Sequence, residues 1–383
     1  VRLFAALRDI AGHRELDVPG DSVEEIVQTL IDKFGDRFAA VARAGSVVVN
    51  GERASLDRAL DGTEEVALLP PVSGGALGTH RKPERVLLVV NPVARTVSRA
   101  KLDVIEKALS ADFKLDVHET KARGHATELA QSAVDDGFDL VVVFSGDGTI
   151  NEAINALAGT EVALGVIPGG ATNVLARWLG VPMEPVEATG HLLHAAAEGR
   201  RRTLNLGKTN DRYFCFACGV GLDAAAMSRV DARNADSKKK FEWLSLVSVV
   251  REGLRHAGLP SDLSVWVDGR PPVEAVSVLI GRTHPYTFFK RWGVKVTPNA
   301  TMQGGLEVLT VKHLTRRSLG RVAYQVLVSG KVIDRKNVDY VSDASSVEIT
   351  SSRPYPVQVD GDVIGELDRI SVRLVPEALD VIA

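Results

Sequence analysis

Apolar positions change their spacing twice along this chain, and each change marks a different kind of region. In residues 1–69 they fall in short runs. Arg2–Leu7, Glu15–Val18, Ser46–Asn50 and Glu65–Leu69 read as strands. Between them Val23, Ile26, Val27, Leu30, Ile31 and Phe34 recur every three or four residues, which places them on one face of a helix over Val23–Phe34. Asp21 and Ser22 stand where a side-chain oxygen caps its first N–H groups. Asn50-Gly51 is a hairpin turn. Strands around one helix in so short a span predict a small α+β roll.

From residue 85 the runs become continuous. Arg85–Val90, Leu140–Phe144 and Val162–Ile167 are apolar throughout, as in strands of a sheet covered on both faces. Helical spacing separates them over Ser98–Leu109, His125–Asp135, Thr149–Leu157 and Thr172–Leu179, with a further strand over Phe113–His118. Strands alternating with helices predict a parallel, Rossmann-like sheet that binds its ligand at the carboxyl ends of the strands. After Leu204 the pattern turns to short strands: Tyr213–Ala217, Leu263–Val267, Ala275–Ile280, Val294–Thr297, Leu306–Val311, Ser346–Thr350 and Val357–Val359. Helical stretches over Lys239–His256 and Arg317–Val328 interrupt them. The fold class expected is α/β plus all-β: an N-terminal ubiquitin-like roll, a Rossmann-like domain and an antiparallel β-sandwich. The boundaries expected are 1–76, a linker over 77–84, 85–206 and 207–383, the last strand returning to the middle domain.

Composition narrows the functional classes. The net charge of −3 gives no overall case for nucleic acid. It is unevenly spread: residues 1–80 carry a net −5 and residues 200–257 a net +6. An acidic first domain suits a protein partner, and the basic stretch, with Lys238–Lys240 opening an amphipathic helix, suits either an anionic membrane surface or plain helix packing. Tyr286–Trp292 mixes aromatics and charge in the same way. No apolar run reaches the roughly 18 residues of a membrane helix, and no secretory pattern opens the chain. The expected location is cytoplasmic, peripheral to the inner face of the membrane. Two cysteines exclude a disulfide scaffold. Cys215 and Cys218 fall on opposite faces of a strand pattern, which speaks for core packing over zinc. His191 and His194 read as a partly exposed helix face.

Chemistry concentrates at three strand ends. Ser145-Gly146-Asp147-Gly148-Thr149 and Pro168-Gly169-Gly170-Ala171-Thr172-Asn173 each follow a strand and open a helix, and Asn91-Pro92 ends the first strand. Glycines let backbone approach a phosphate, and a helix N-terminus offers it free N–H groups. One such turn is a weak sign, and Asp147 equally suits a metal, a substrate or its own turn. Three at successive strand ends should share one crevice. Neither a lysine-containing phosphate loop nor a spaced G-x-G-x-x-G is present.

Together these pieces carry two resemblances. RLFAALRDIAG, the VNG turn and LLPPVSGG make the first fifth similar to the small subunit of molybdopterin synthase and its relatives, the ubiquitin-like sulfur carriers. In those carriers a free Gly-Gly carboxylate is activated. Here Ala76 follows Gly75, so the carrier role requires cleavage, and the alternative is a retained docking domain. Residues 85–383 resemble the catalytic region of the diacylglycerol kinase and sphingosine kinase family in its soluble bacterial form. The matching segments are VVNP (89–92), TKARGHATELA (120–130), SGDGTINEAINAL (145–157), IPGGATNVLARWLG (167–180), RYFCFACGVGLDA (212–224) and VQVDGDVIGE (357–366).

The second resemblance implies a two-domain kinase that uses ATP and Mg²⁺ to phosphorylate a lipid hydroxyl, diacylglycerol first. A sphingoid-base or other lipid kinase, an NAD kinase, and a non-catalytic lipid-binding or sulfur-carrier fusion are the alternatives. It puts Asn91, Pro92 and Thr120 at nucleotide positions, with Arg95 as a source of positive charge beside them. Gly146, Asp147, Gly148, Thr149, Asn151 and Glu152 form the phosphate loop, with Asp147 at the metal, and Gly169, Gly170, Thr172 and Asn173 form the second loop. Asp360 stands at the general base, with Asp362 where the family usually has Glu. The family also suggests a homodimer. Three departures stand out. Val93-Ala94-Arg95 replaces the usual Ser-Gly of the first loop, and Ala171 removes a hydroxyl beside the phosphates. The loop Pro298–Gly305, where the family has two acids for a structural metal, has neither, so no second metal is expected.

Overall fold

Ser22 starts the first helix as its residue type requires: its hydroxyl accepts the Glu25 N–H at 3.3 Å while the Glu25 carboxylate accepts the Asp21 N–H at 2.9 Å. The helix, α1 (Val23–Phe34), buries Val23, Ile26, Val27 and Leu30 against a sheet of β1 (Arg2–Leu3), β2 (Ser46–Val49), β3 (Glu52–Ala54) and β4 (Val66–Leu69), ordered β1-β4-β2-β3. β1 runs parallel to β4, and the other pairs are antiparallel. The expected strand over Arg2–Leu7 is shorter than its pattern suggests. Leu7, Ile10 and Ala11 are helical, and Glu15 pairs with Arg2 only as an isolated bridge. Gly12, whose φ is +70°, ends the helical residues Ile10 and Ala11.

This is a computed structural model. It describes residues 1–3, 7, 10–13, 15–35, 38–39, 42, 46–50, 52–69, 82–221, 224–225, 261–289, 292–294, 296–313 and 337–383. The chain divides into two units, Val1–Ala76 and Leu77–Ala383. The Gly74-Gly75 tail and the helices expected over 239–256 and 317–328 lie outside the described residues. Among the described residues no helix is long and apolar enough to cross a membrane.

The larger unit opens with strand and helix in alternation: β5 (Arg85–Val90), α2 (Arg99–Asp112), β6 (Lys114–Glu119), α3 (His125–Asp135), β7 (Leu140–Ser145), α4 (Asp147–Leu157), β8 (Ala163–Pro168), α5 (Val174–Leu179) and α6 (Pro185–Ala197). The strands are parallel, in the order β6-β5-β7-β8. β7 and β8 are buried along their whole length, which is why their sequences are unbroken apolar runs. β6 is the edge and is half exposed. Register fixes the site. Val90 lies beside Phe144 and Ser145 beside Pro168, so three successive strands end at one level and release their loops on the same rim.

The rest is antiparallel: β9 (Arg202–Thr209), β10 (Arg212–Phe214), β11 (Ala217–Val220), β12 (Leu263–Val267), β13 (Val273–Ala275), β14 (Ser277–Gly281), the hairpin β15 (Thr287–Phe289) and β16 (Trp292–Val294), β17 (Leu306–Val311), β18 (Val338–Ala344), β19 (Ser346–Val359) and β20 (Asp362–Ile382). The main sheet runs β18-β17-β14-β11-β19-β20-β8-β7-β5-β6. β20 joins its two parts. It pairs antiparallel with β19 and β9, then places Val381 and Ile382 parallel to Leu164 and Gly165 of β8. Pro376 reads as a breaker in its sequence; the proline sits where the register with β9 shifts, between Val375 and Leu379. Cys215 and Cys218 are both buried, in two different apolar cores, so no single metal takes both. His191 is half-buried, and His194 is exposed and pairs with Glu198 at 3.1 Å.

The β9–β10 hairpin depends on one missing side chain. Gly207 lies opposite the wholly buried Phe214, and a Cβ on Gly207 would overlap the phenyl ring. Gly207→Ala should cost about 1–3 kcal/mol by overpacking. Phe214→Leu in the same chain should recover part of it. Urea unfolding of the single and double variants measures the coupling, and strictly additive losses would show that the ring is not the obstacle.

Candidate active site

The two glycine loops meet backbone to backbone. A Cβ on Gly170 would sit 2.6 Å from the Cα of Gly146, and one on Gly169 would sit 2.7 Å from the Cα of Ser145. No side chain fits at either position without moving main chain. The Gly169 N–H donates to the Ser145 carbonyl at 2.6 Å. Asn173, at φ +49°, folds its loop back by accepting the Gly170 N–H at 2.9 Å and donating to the Gly170 carbonyl at 3.2 Å. Asp147 crosses to the other loop and accepts the Leu175 N–H at 3.4 Å. The starts of α4 and α5 are thereby brought together, and the first N–H groups of α4 have no partner within the helix.

The Asn91 loop joins them. The Asn91 amide donates to Thr149 Oγ1 at 3.2 Å, and Thr149 Oγ1 also accepts the Ser145 hydroxyl at 2.8 Å. The Thr96 N–H donates to the Gly169 carbonyl at 2.9 Å. Pro92 and Arg95 are exposed on this loop, and Thr120, half-buried, hydrogen-bonds back to Val90. Thr172 is half-buried and holds the Arg177 side chain through its carbonyl at 2.9 Å. Glu152 is turned elsewhere: its carboxylate accepts the Ala126 N–H at 3.3 Å and so caps α3.

Opposite the loops stands the β19–β20 turn. Asp360, at φ +49° and 5 % exposed, accepts four N–H groups. Oδ2 takes Asn151 Nδ2 and the Cys215 N–H, both at 2.8 Å; Oδ1 takes the N–H groups of Phe216 and Ala217, both at 2.9 Å. Each oxygen has two lone pairs, and all four are engaged. Asp362, two residues on, is more open. It lies above Gly148, where a Cβ would be 3.9 Å from its Oδ1. Arg123 holds that Oδ1 at 2.8 Å and Arg212 holds Oδ2 at 3.1 Å. Arg212 also grips Asn151 Oδ1 at 2.7 Å, so one chain of contacts runs Asp360, Asn151, Arg212, Asp362, Arg123. Sequence reading did not single out either arginine, although Arg123 lies in the 120–130 block and Arg212 opens the 212–224 block.

Electrostatics follow from burial. Burial pushes the Asp147 carboxyl up to about 6, with the nearby charge of Asp360 adding to it and the N–H groups of Val174, Leu175 and Asn173 pulling the other way. Burial also raises Asp360, against the pull of its N–H donors, and raises the Cys215 thiol well above its ordinary value. Among the described residues no three His, Cys, Asp or Glu side chains gather into a metal site of their own.

A carboxyl raised on folding keeps its proton in the native state after the unfolded chain has lost it. Its contribution to stability is present below the unfolded value of 3.8 and is lost as pH rises through about 6. Asp147→Asn, which keeps an oxygen for the Leu175 N–H, should therefore raise Tm at pH 7 in buffer free of divalent ions, with the gain vanishing near pH 4. A lower Tm at pH 7 would contradict the burial argument.

Comparison with known proteins agrees along the chain. Residues 1–75 match the ThiS family. Residues 85–209 match the diacylglycerol kinase catalytic domain, and residues 217–383 match the YegS C-terminal NAD kinase beta sandwich-like domain. The diacylglycerol kinase of Bacillus subtilis (strain 168) is 28% identical over 291 residues, 74% of this chain and 91% of that one. The diacylglycerol kinase of Staphylococcus carnosus (strain TM300) is 26% identical over 294 residues, 74% and 90% of the two chains. A crystal structure of a diacylglycerol kinase from Bacillus anthracis str. Sterne superposes with a TM-score of 0.60 at 25% identity, covering 79% of this chain and 97% of that one. The chain is therefore a kinase built on the diacylglycerol kinase catalytic domain and its β sandwich-like C-terminal domain, with a ThiS family domain ahead of them.

Proposed function

We propose that this kinase transfers the γ-phosphoryl group of ATP to a lipid hydroxyl, diacylglycerol being the foremost substrate and phosphatidic acid its product. The observation that carries this reading is the placement of Asp362 above the first turn of α4, held by two arginines, opposite two glycine loops in backbone contact. Free N–H groups at the start of α4 suit phosphate oxygens. Arg123 and Arg212 suit the charge on a phosphoryl group in transfer. The names of the Bacillus and Staphylococcus relatives support diacylglycerol as acceptor.

In the transfer the acceptor oxygen bonds to the γ-phosphorus, the bond from that phosphorus to the bridging oxygen breaks, and ADP leaves. The hydroxyl proton goes to a carboxylate. We assign that part to Asp362. The family resemblance points to Asp360, but a base needs a lone pair to offer, and Asp360 spends all four on N–H groups. Asp360 is then a positioning residue. Mg²⁺ suits a site with one or two carboxylates completed by substrate phosphates, and Asp147 would hold it; when bound, it neutralises phosphate charge. Asn91 and Thr149 orient the loops, and Arg95 adds positive charge on the rim. A lipid acceptor requires visits to a membrane surface, and the acidic N-terminal domain suits a protein partner.

Transfer from labelled ATP to diacylglycerol in mixed micelles, with Mg²⁺, tests the assignment. Asp362→Asn should lose about 10²–10⁴-fold in kcat with Tm unchanged. Asp360→Asn puts an amide NH₂ against N–H donors and should lower both Tm and activity, since each orphaned buried donor costs about 1–3 kcal/mol. Wild-type kcat in Asp362→Asn, or lost kcat with wild-type Tm in Asp360→Asn, would return the base role to Asp360. No transfer to any lipid by the wild-type chain would refute the reading.

A further inference from the structure

Arg282 follows β14 and is wholly buried, the largest side chain in the described structure with almost no exposure. Among the described residues no carboxylate pairs directly with its guanidinium, and the charges of Glu307 and Asp343 act on it from nearby. Nη1 donates to the carbonyls of Gly304 and, at 2.7 Å, Gly305; Nη2 donates to the carbonyls of Met302 at 2.9 Å and Asn205 at 3.0 Å. Four main-chain oxygens from two distant segments thus converge on one positive group. Asn205 ties the segments together again, donating to the carbonyl of Gln303 at 2.8 Å and accepting the Glu377 N–H of the last strand at 2.9 Å. Nε is buried without a partner. Burial pulls the guanidinium down to about 10, and it remains charged at neutral pH.

Converging carbonyls are what a hard cation binds. Their negative ends would repel one another in an empty cradle. We infer that residues 302–305 and Asn205 form a cation site whose occupant is the chain's own guanidinium, so that Arg282 does the work of a bound ion in this loop. The cradle is coupled to the candidate active site. The Arg282 N–H donates to the Phe216 carbonyl at 2.8 Å, and the Phe216 N–H donates to Asp360 Oδ1 at 2.9 Å. Arg282 is therefore a positioning residue: the segment that grips Asp360 rests on it. This last step depends on the kinase reading above, whereas the cradle itself does not.

Small-molecule rescue of full-length Arg282→Ala tests the inference. Guanidinium and urea have nearly the same shape, and only one is charged. At low millimolar concentration both are far from the molar range that unfolds proteins. The variant should melt about 10 °C lower, the scale expected for an uncompensated cluster of buried polar groups in a chain of this size. It should also lose about tenfold or more in kcat, the factor a shift of about 1.4 kcal/mol produces. Guanidinium should restore Tm and kcat in a saturable way, urea should restore neither, and the wild type should respond to neither. Equal rescue by urea would mean that the side chain only fills space, and rescue by neither would overturn the cation site. If the alanine variant does not fold, Arg282→Lys and Arg282→Met replace it. Lys keeps the charge and should melt above Met; Met at or above Lys would overturn the inference. Tm rescue without recovery of kcat would uphold the cradle and remove its link to Asp360.

Discussion

Asp360 accepts N–H groups from α4 and from residues 215–217, which lead into the antiparallel strands, while sitting itself in the turn between β19 and β20. Three separate parts of the chain are thereby fixed to one carboxylate. Without it, three backbone N–H groups would be left unpaired in a buried place, which costs more than any one hydrogen bond gains. The arrangement explains why the turn is Asp-Gly-Asp: the left-handed backbone at Asp360 points one acid inward, and Gly361, at φ +87°, lets the chain reverse so that the next acid faces the rim. Asn151 passes the order outward to Arg212, and Arg212 to Asp362.

The glycine loops impose the complementary constraint. They need main chain in contact with main chain, which only glycine permits, and they leave Asp147 near Asp360 in a place that disfavours two negative charges. A site with an electrostatic cost of this kind gains stability from any ligand that neutralises it. Rigidity comes from β20, which belongs to both halves of the sheet and leaves little freedom between the two walls of the crevice.

Much of this was legible in the sequence, and the limits are physical. β7 and β8 announce themselves as apolar runs because both their faces are covered, and α1 and α3 fall where the spacing puts them. The glycine loops carry their meaning locally, as strand ends that open helices. The full length of β20 is hidden, because a bulge absorbs Pro376 and polar residues alternate along it. Glu152 sits inside a recognisable motif yet turns to cap α3, since spacing along a helix does not say which neighbour it will meet. The pairing of Asp362 with Arg123 and Arg212, and the burial of Arg282 among carbonyls of distant segments, are properties of the folded chain. A lone arginine in sequence reads as exposed. The choice between Asp360 and Asp362 likewise rests on which lone pairs are taken.

In the proposed function the nucleotide lies between the two glycine loops with its terminal phosphate under Asp362. A crystal structure of the chain with Mg²⁺ and a non-hydrolysable ATP analogue measures this directly. Phosphate oxygens are expected on the N–H groups at the start of α4, with Arg123 or Arg212 in contact with the γ-phosphate and a free Asp362 oxygen facing the γ-phosphorus. A γ-phosphate away from that turn, or an Asp360 carboxylate released from its N–H donors and facing the phosphorus, would contradict it.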